Sequence, residues 1–249
     1  MSQPAVRTEA HDGARPSAAR DLLTKSVGII ISPVVTLRGV ARDPRSLAMM
    51  MSVSTITALS AAMFLSTGVG KLAWLDEAMR QADAFGQPVT DAQYALLARM
   101  REYAAYLVIA QDLVGIPLVI MALAGIIKAV FAVVPGADAT YKQTLAIVAA
   151  STVILTLRQL VVLPLNYARE SMTSATNLAV LLPMLPGGSV LTRFLGAIDL
   201  FAVWWLLVLA SGLATLYRRR ARPIAVTLFA LYGVVALALS LVLVWVGGA

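Results

Sequence analysis

Long apolar runs separated by short polar segments dominate the chain after its first 43 residues. A helix needs roughly 20 apolar residues to cross the hydrocarbon core of a bilayer. Five runs reach this length, near 47–69, 104–131, 143–165, 194–217 and 224–246. The runs are apolar throughout, whereas strands of a membrane barrel alternate between apolar and polar positions. The pattern predicts an all-α fold, a polytopic transmembrane bundle of five spans over residues 44–249.

The first 43 residues have a different pattern. Residues 1–20 are polar and carry scattered charges, which predicts a disordered cytoplasmic tail. Residues 21–43 are apolar on one side and are interrupted by Pro33. They predict an amphipathic segment in the cytoplasmic membrane interface, with basic residues toward anionic headgroups. A helix docked on the bundle fits the same pattern equally well.

The segments between the runs contain signals for helix ends and loops. Asp43 and Pro44 predict the start of the first span, as its cap and its first helical residue. Residues 71–103 predict two helical pieces, the second starting at a capping-box pattern of Thr90 and Gln93. Residues 166–190 are too broken by Pro and Gly to cross. They predict a loop whose part near 178–185 is either interfacial or re-entrant.

Composition agrees with a membrane protein, and charge orients it. The chain is 59% hydrophobic and 13% charged, with a net charge of +7 and a mean hydropathy of +0.82. With the N-terminus inside, 13 of the 20 Lys and Arg residues fall on the cytoplasmic side. Because cytoplasmic loops carry an excess of basic residues, we expect a cytoplasmic N-terminus and an outer C-terminus.

Three charged residues, Asp112, Arg158 and Asp199, interrupt the apolar runs. In the predicted topology all three lie about 8–10 Å below the outer face, at a rise of 1.5 Å per residue. Charges at such a depth normally face the bundle interior and pair. We expect Asp112 and Asp199 to flank Arg158, whose planar guanidinium can serve two carboxylates. Such a cluster either fixes the helix register or forms a proton or cation site.

Glycine and proline also occur inside the predicted spans. Proline removes a donor from the helix ladder, and small residues let helices approach closely. These effects predict kinks or close packing at Gly115, Pro117, Pro164 and Gly212.

The residue inventory disfavours several classes of function. The chain has no Cys, and its single His, His11, lies in the tail, so a Ser–His or His–metal site within the membrane cannot form. The sequences around Asp112 and Asp199 lack the Gly-x-Gly-Asp element of intramembrane aspartyl proteases. No segment interleaves basic and aromatic residues, as a nucleic-acid-binding surface would. We expect no enzymatic activity, no metal or other cofactor and no nucleic-acid partner.

Four motifs follow one another along the chain. The first spans SPVVTLRGVARDP, the second QDLVGIPL, the third GADATYKQTL, and the fourth IDLFAVWWLLVLASGL. Their positions are Pro33, Thr36 and Pro44; Asp112, Leu113, Gly115 and Pro117; Gly136 and Tyr141; and Asp199, Leu200, Phe201, Trp204 and Gly212. Together they resemble the bacterial branch of the Yip family, the Ypt/Rab-interacting membrane proteins.

The resemblance covers about residues 31–246 and implies a five-span bundle with a cytoplasmic N-terminus in the bacterial inner membrane. Eukaryotic members act in early secretory traffic with Rab-type GTPases, but the tail here shows no obvious GTPase-docking element. We expect a non-enzymatic, membrane-organising scaffold that contacts the bilayer and a protein partner or a second copy in a homo-oligomer. The alternative is a small-solute or ion permease that uses the Asp112–Arg158–Asp199 cluster.

Overall fold

The computed structural model describes residues 18–87, 89–132, 139–182, 184 and 189–247. Within these ranges the regular elements are all helical. They are α1 (Ala18–Ile31), α2 (Pro33–Arg42), α3 (Ser46–Leu65), α4 (Gly68–Ala84), α5 (Asp91–Met100), α6 (Ala104–Ala132), α7 (Tyr141–Ser151), α8 (Val153–Arg169), α9 (Val190–Ala197), α10 (Leu200–Leu216) and α11 (Ala221–Gly247). Two 3-10 turns, Arg101–Tyr103 and Leu178–Leu181, complete the set. Most of the predicted tail, Gly136 and part of 178–185 lie outside the described residues.

The helices confirm the all-α membrane architecture. Four helical stretches are long and apolar enough to cross a bilayer, and they contain α3, α6, α7 with α8, and α11. The fifth apolar helix, α10, is shorter, with 17 residues. It measures about 25 Å at 1.5 Å per residue, slightly less than a typical hydrocarbon core.

Two of the apolar runs are interrupted in ways that hydropathy did not predict. The third run breaks at Thr152, whose hydroxyl donates to the Val148 carbonyl at 2.9 Å, a bond that often bends helices. The fourth run was expected to be continuous from about residue 194, with Asp199 five residues inside it. Instead α9 ends at Ala197, and Asp199 is the N-cap of α10. The Asp199 carboxylate accepts the Phe201 amide and so starts a new helix.

The centre of the bundle is α7. Its residues 146–150 are at most 1% exposed, and α2, α3, α6 and α10 all pack around it. A helix that is apolar on every side belongs in a core. The small residues Ala146, Ala149 and Ala150 allow these neighbours to approach closely.

The segment before the first span folds as two helices on the bundle. Pro33 begins α2, a position that suits its fixed φ. Ile29 and Leu37 are fully buried in the core, and α2 packs on α7 and α10. The segment is therefore docked on the bundle. Its outward side carries exposed apolar residues, namely Leu23, Val27, Ile31 and Val35, which are 52–74% exposed.

The start of the first span differs from its prediction. Asp43 lies at the C-terminal end of α2, where its amide donates to the Gly39 carbonyl. Its carboxylate pairs with Arg45 at 3.0 Å, and α3 begins only at Ser46. The expectation that Asp43 caps this span and Pro44 is its first helical residue is wrong, because Asp43 is engaged in the preceding turn.

The expected helix start at Thr90 is confirmed, and a second one of the same kind was not predicted. Thr90 and Gln93 form a capping box at the start of α5. Thr140 and Gln143 form another at the start of α7. The T-x-x-Q pattern occurs at both places, so the second capping box was readable from the sequence.

Basic segments that are distant in the sequence meet at one end of the bundle. The Gln143 side-chain Nε2 at the start of α7 donates to the Ala41 carbonyl of α2 at 3.4 Å. A depression between α2 and the turn after α10 is lined by Arg38, Arg218 and Arg219. The α1–α2 segment, the start of α7 and the 218–222 turn therefore share one end.

The close contact of three helices at Gly212 generates a stability prediction. A Cβ on Gly212 would lie 2.7 Å from Ile147 Cγ2 and 3.0 Å from Leu37 Cδ1, and both neighbours are fully buried. We expect Gly212→Ala to destabilise the protein by about 1–3 kcal/mol through overpacking, measured as a lower thermal midpoint in detergent.

The matched control is Gly233→Ala in α11, where an added Cβ meets no heavy atom within 4 Å. It should leave the midpoint unchanged or raise it, because alanine is the better helix former. Equal midpoints for the two variants would contradict the close approach of α2, α7 and α10.

Candidate functional site

Among the ion pairs of the described residues, the least exposed one joins α8 and the start of α10. Arg158 Nε donates to Asp199 Oδ2 at 2.9 Å, and Arg158 Nη2 donates to Ser174 Oγ at 2.9 Å. The two charged side chains are only 27% and 11% exposed. The guanidinium thus binds one carboxylate and one hydroxyl.

Both oxygens of Asp199 are satisfied. Oδ1 accepts the Phe201 amide at 2.9 Å. Oδ2 also accepts the hydroxyls of Ser174, at 3.1 Å, and Thr176. A buried charge is tolerated only when it is paired and its remaining lone pairs are used. The N-cap position adds the favourable positive end of the α10 dipole.

Backbone bonds hold the segment after α8 against this ion pair. The Leu178 amide donates to the Ile198 carbonyl at 3.0 Å, and the Leu200 amide donates to the Thr176 carbonyl at 3.1 Å. The Tyr232 hydroxyl of α11 donates to the Ala197 carbonyl. We call the set of Arg158, Ser174, Thr176, Asp199 and Tyr232 the polar junction.

The polar junction lies within the length of the bundle, not at its end. Tyr232 stands eleven residues after the start of α11, which has 27 residues. At 1.5 Å per residue this is about 17 Å along a helix of about 40 Å. The junction therefore links α8, its following segment, α10 and α11 near half the height of α11.

Asp112 is placed differently from the expectation. In the described part of the chain it makes no hydrogen bond or ion pair, and it lines a cavity of about 420 Å³ together with Arg158. The expectation that both carboxylates flank Arg158 is wrong for Asp112. Arg158 instead pairs with Asp199 and donates to Ser174 of the segment after α8, which folds back onto it.

The predicted kink and packing positions have different surroundings. Helices α6 and α8 continue through Pro117 and Pro164. Gly115 lines the cavity, and a Cβ there would meet no heavy atom within 4 Å, so Gly115 widens the cavity instead of bringing helices together. Gly212 is the position of close packing.

The remaining motif positions have local structural roles. Thr36 donates to the Ser32 carbonyl at 3.1 Å, beside Pro33. The Tyr141 hydroxyl donates to the Met121 carbonyl at 3.0 Å, which ties the start of α7 to α6. In α10, Phe201 and Trp204 have ring centroids 6.1 Å apart. Leu200 is exposed and Leu113 is half-buried.

Sequence reasoning missed three members of the polar junction, Ser174, Thr176 and Tyr232. A signal for the first two was present, because four of the six residues from 171 to 176 carry hydroxyls in a segment between apolar runs. No signal marked Tyr232, whose partner is a backbone carbonyl. Among the described residues, no group of three or more His, Cys, Asp or Glu comes together as a candidate metal centre.

Comparison with known proteins gives one match. A family model described as the Yip1 domain matches residues 27–247, and it confirms the family resemblance of the motifs. No curated protein matches the chain, and no solved structure does.

The polar junction predicts strong energetic coupling between its two charges. Arg158→Ala or Asp199→Asn leaves one charge or its partners unpaired, and we expect each to cost about 3–5 kcal/mol of unfolding free energy. The double variant should lose less than the sum, with a coupling of about 0.5–3 kcal/mol. Asn at position 199 can still cap α10. The double-mutant cycle of Arg158→Ala and Asp199→Asn therefore measures the ion pair and not the loss of the helix cap.

Thermal or denaturant unfolding in detergent measures this cycle. Asp112→Asn is the matched control: it should not lower the free energy of unfolding, because Asp112 has no partner in the described chain and an isolated charge in a span is costly. Additive effects of Arg158→Ala and Asp199→Asn would show that the pair is not closed.

Proposed function

This chain belongs to the Yip1 domain family, and we propose that it is a non-enzymatic scaffold that organises the bacterial inner membrane. Its helices are those of a multi-pass integral membrane protein.

The observation that carries the scaffold proposal is the closed polar junction. Arg158 and Asp199 are joined to each other and to two hydroxyls, and the junction is tied to α11 by Tyr232. A charge pair whose carboxylate has both oxygens hydrogen-bonded favours one arrangement of helices over others. Such a rigid bundle suits a protein that presents a fixed surface.

The proposed topology has five spans, a cytoplasmic N-terminus and an outer C-terminus. It is supported by the basic end of the bundle, where α2, the start of α7 and the 218–222 turn meet. Lys and Arg collect on the cytoplasmic side of membrane proteins. With α10 counted as a span, the chain has five spans. An odd number of spans puts the two termini on opposite sides of the membrane.

The proposed contact surface is the α1–α2 segment at this basic end. Its exposed apolar residues can enter the acyl boundary, and Arg38 and Arg42 are exposed beside them. Anionic headgroups attract such basic side chains by about 1 kcal/mol each. A protein partner or a second copy of the chain would use the same end.

A second candidate function is a permease for a small solute or ion. It is favoured by the cavity that contains Asp112, because buried carboxylates in spans often mark solute or proton pathways. Reconstituted liposomes test this function by a proton or cation flux across their membrane. A flux that Asp112→Asn abolishes would support the permease. The absence of such a flux would support the scaffold alone.

The proposed topology predicts opposite labelling of two engineered thiols. The natural chain has no Cys, so Gln81→Cys and Arg222→Cys each carry a single reactive group, and both positions are exposed. In intact cells with a permeable outer membrane, an impermeant maleimide should label Gln81→Cys and not Arg222→Cys.

Permeabilising the inner membrane should then expose Arg222→Cys, which controls for a folded but unreactive thiol. A C-terminal alkaline phosphatase fusion should be active, as an odd number of spans requires. Labelling of Arg222→Cys in intact cells, or an inactive but expressed fusion, would contradict the proposed topology.

The proposed headgroup contact predicts a selective loss of lipid affinity. We expect Arg38→Gln with Arg42→Gln to weaken phosphatidylglycerol binding by about 2 kcal/mol in total, measured by native mass spectrometry. The control is Arg99→Gln, an exposed residue on α5 outside the α1–α2 segment. An equal loss in the control would show that the attraction is not specific to α1–α2.

A further inference from the structure

A groove between α6 and α8 contains the one intramembrane acid that the polar junction does not use. Asp112 and Gly115 of α6 stand on one wall, and Arg158 and Gln159 of α8 stand on the other. Trp205 of α10 also lines the groove. We call this space, with a volume of about 420 Å³, the Asp112 groove.

The Asp112 groove opens sideways through the surface of the bundle. Gln111 and Val119 line it and are themselves exposed, Val119 by 65%. Because α6 is a membrane-spanning helix, this opening faces the acyl chains. The apolar chain of a ligand can therefore stay among the acyl chains while the polar group of the same ligand lies in the groove.

The charges in the groove favour a cation. Arg158 is neutralised by Asp199 and donates to Ser174, whereas Asp112 has no ion-pair or hydrogen-bond partner in the described chain. An ionised Asp112 would thus be the uncompensated charge. Isolated charges in a span are costly, so a counter-ion at this position would be stabilised.

The other groups in the groove suit an ammonium group better than a metal ion. Gln111, Gln159 and Thr57 supply neutral oxygens that accept N–H bonds. The Trp205 indole N–H already donates to Ser151 at 3.1 Å, which leaves its ring to contact a cation. A Ca²⁺ site takes roughly six to eight oxygen ligands, and Mg²⁺ held by one carboxylate generally uses substrate phosphates and several waters as well, so an ammonium group needs less from this groove than either metal.

We propose that the Asp112 groove binds an ammonium group carried on an apolar chain, with Asp112 as its counter-ion. The volume is that of a small-ligand pocket. The ammonium comes either from a lipid headgroup such as phosphatidylethanolamine or from a free lipophilic amine. Binding of an ammonium group in the Asp112 groove requires neither the scaffold function nor transport.

The test is equilibrium binding of radiolabelled dodecylammonium to the purified full chain in a neutral maltoside detergent. We expect saturable binding, and we expect Asp112→Asn to weaken it by about tenfold or more, as loss of a hydrogen bond to a charged group does. Dodecanol, which has the same chain without the charge, should not compete. Asp76→Asn, an exposed acid on α4, should bind like the natural chain.

Gly115→Leu provides a second variant that should fold. An added Cβ at Gly115 meets no heavy atom within 4 Å, so the larger side chain extends into the groove and should block binding without lowering the thermal midpoint. If Gly115→Leu is folded and binds dodecylammonium as tightly as the natural chain, the ligand lies elsewhere and the proposal fails.

Competition by lipids identifies the source of the ammonium. Displacement of dodecylammonium by phosphatidylethanolamine, and not by phosphatidylglycerol, supports a lipid headgroup site. Retained binding that neither lipid displaces supports a free amine. Unchanged affinity in Asp112→Asn, or no saturable binding, overturns the proposal and makes Asp112 a carboxyl group without a ligand.

Discussion

The pairing of Arg158 with Asp199 constrains α8, α9 and α10 at once. A charge pair removed from water is stable only if nearly every lone pair and N–H has a partner. Asp199 meets this condition by standing outside a helix, where it caps α10 and still accepts from Arg158, Ser174 and Thr176. The early end of α9, the short length of α10 and the return of the segment after α8 all follow from this requirement.

The two intramembrane acids, Asp112 and Asp199, have different roles because their surroundings differ. Asp199 is enclosed by donors and fixes the positions of helices. Asp112 lies on an unbroken helix beside a glycine that leaves space, so it has no local donor and faces a groove. A rigid junction next to an open groove lets the protein keep its helices in place while a ligand enters or leaves between them.

The two ends of the bundle are also unequal. The basic end gathers α1, α2 and two turns into one surface with exposed apolar and cationic side chains. The polar junction, by contrast, lies near half the height of α11 and holds its charges in contact with each other. This arrangement suits a protein that contacts lipid headgroups or a partner at its basic end and binds the proposed ligand within the bundle.

The sequence by itself determined the membrane class, the five apolar runs, the Thr90 capping box and the family, because hydropathy, helix caps and ordered motifs are local properties. It also singled out Arg158 and both acids, since a charge in an apolar run stands out. Only the tertiary structure decided which acid the arginine binds. That choice depends on Ser174 and Thr176, which reach the site through backbone bonds to residues 198–200, and on Gly115, which opens the groove. Contacts between segments distant in the chain leave no periodic pattern, so the sequence predicted the pairing of Arg158 with Asp199 but not the hydroxyl partners or the separate position of Asp112.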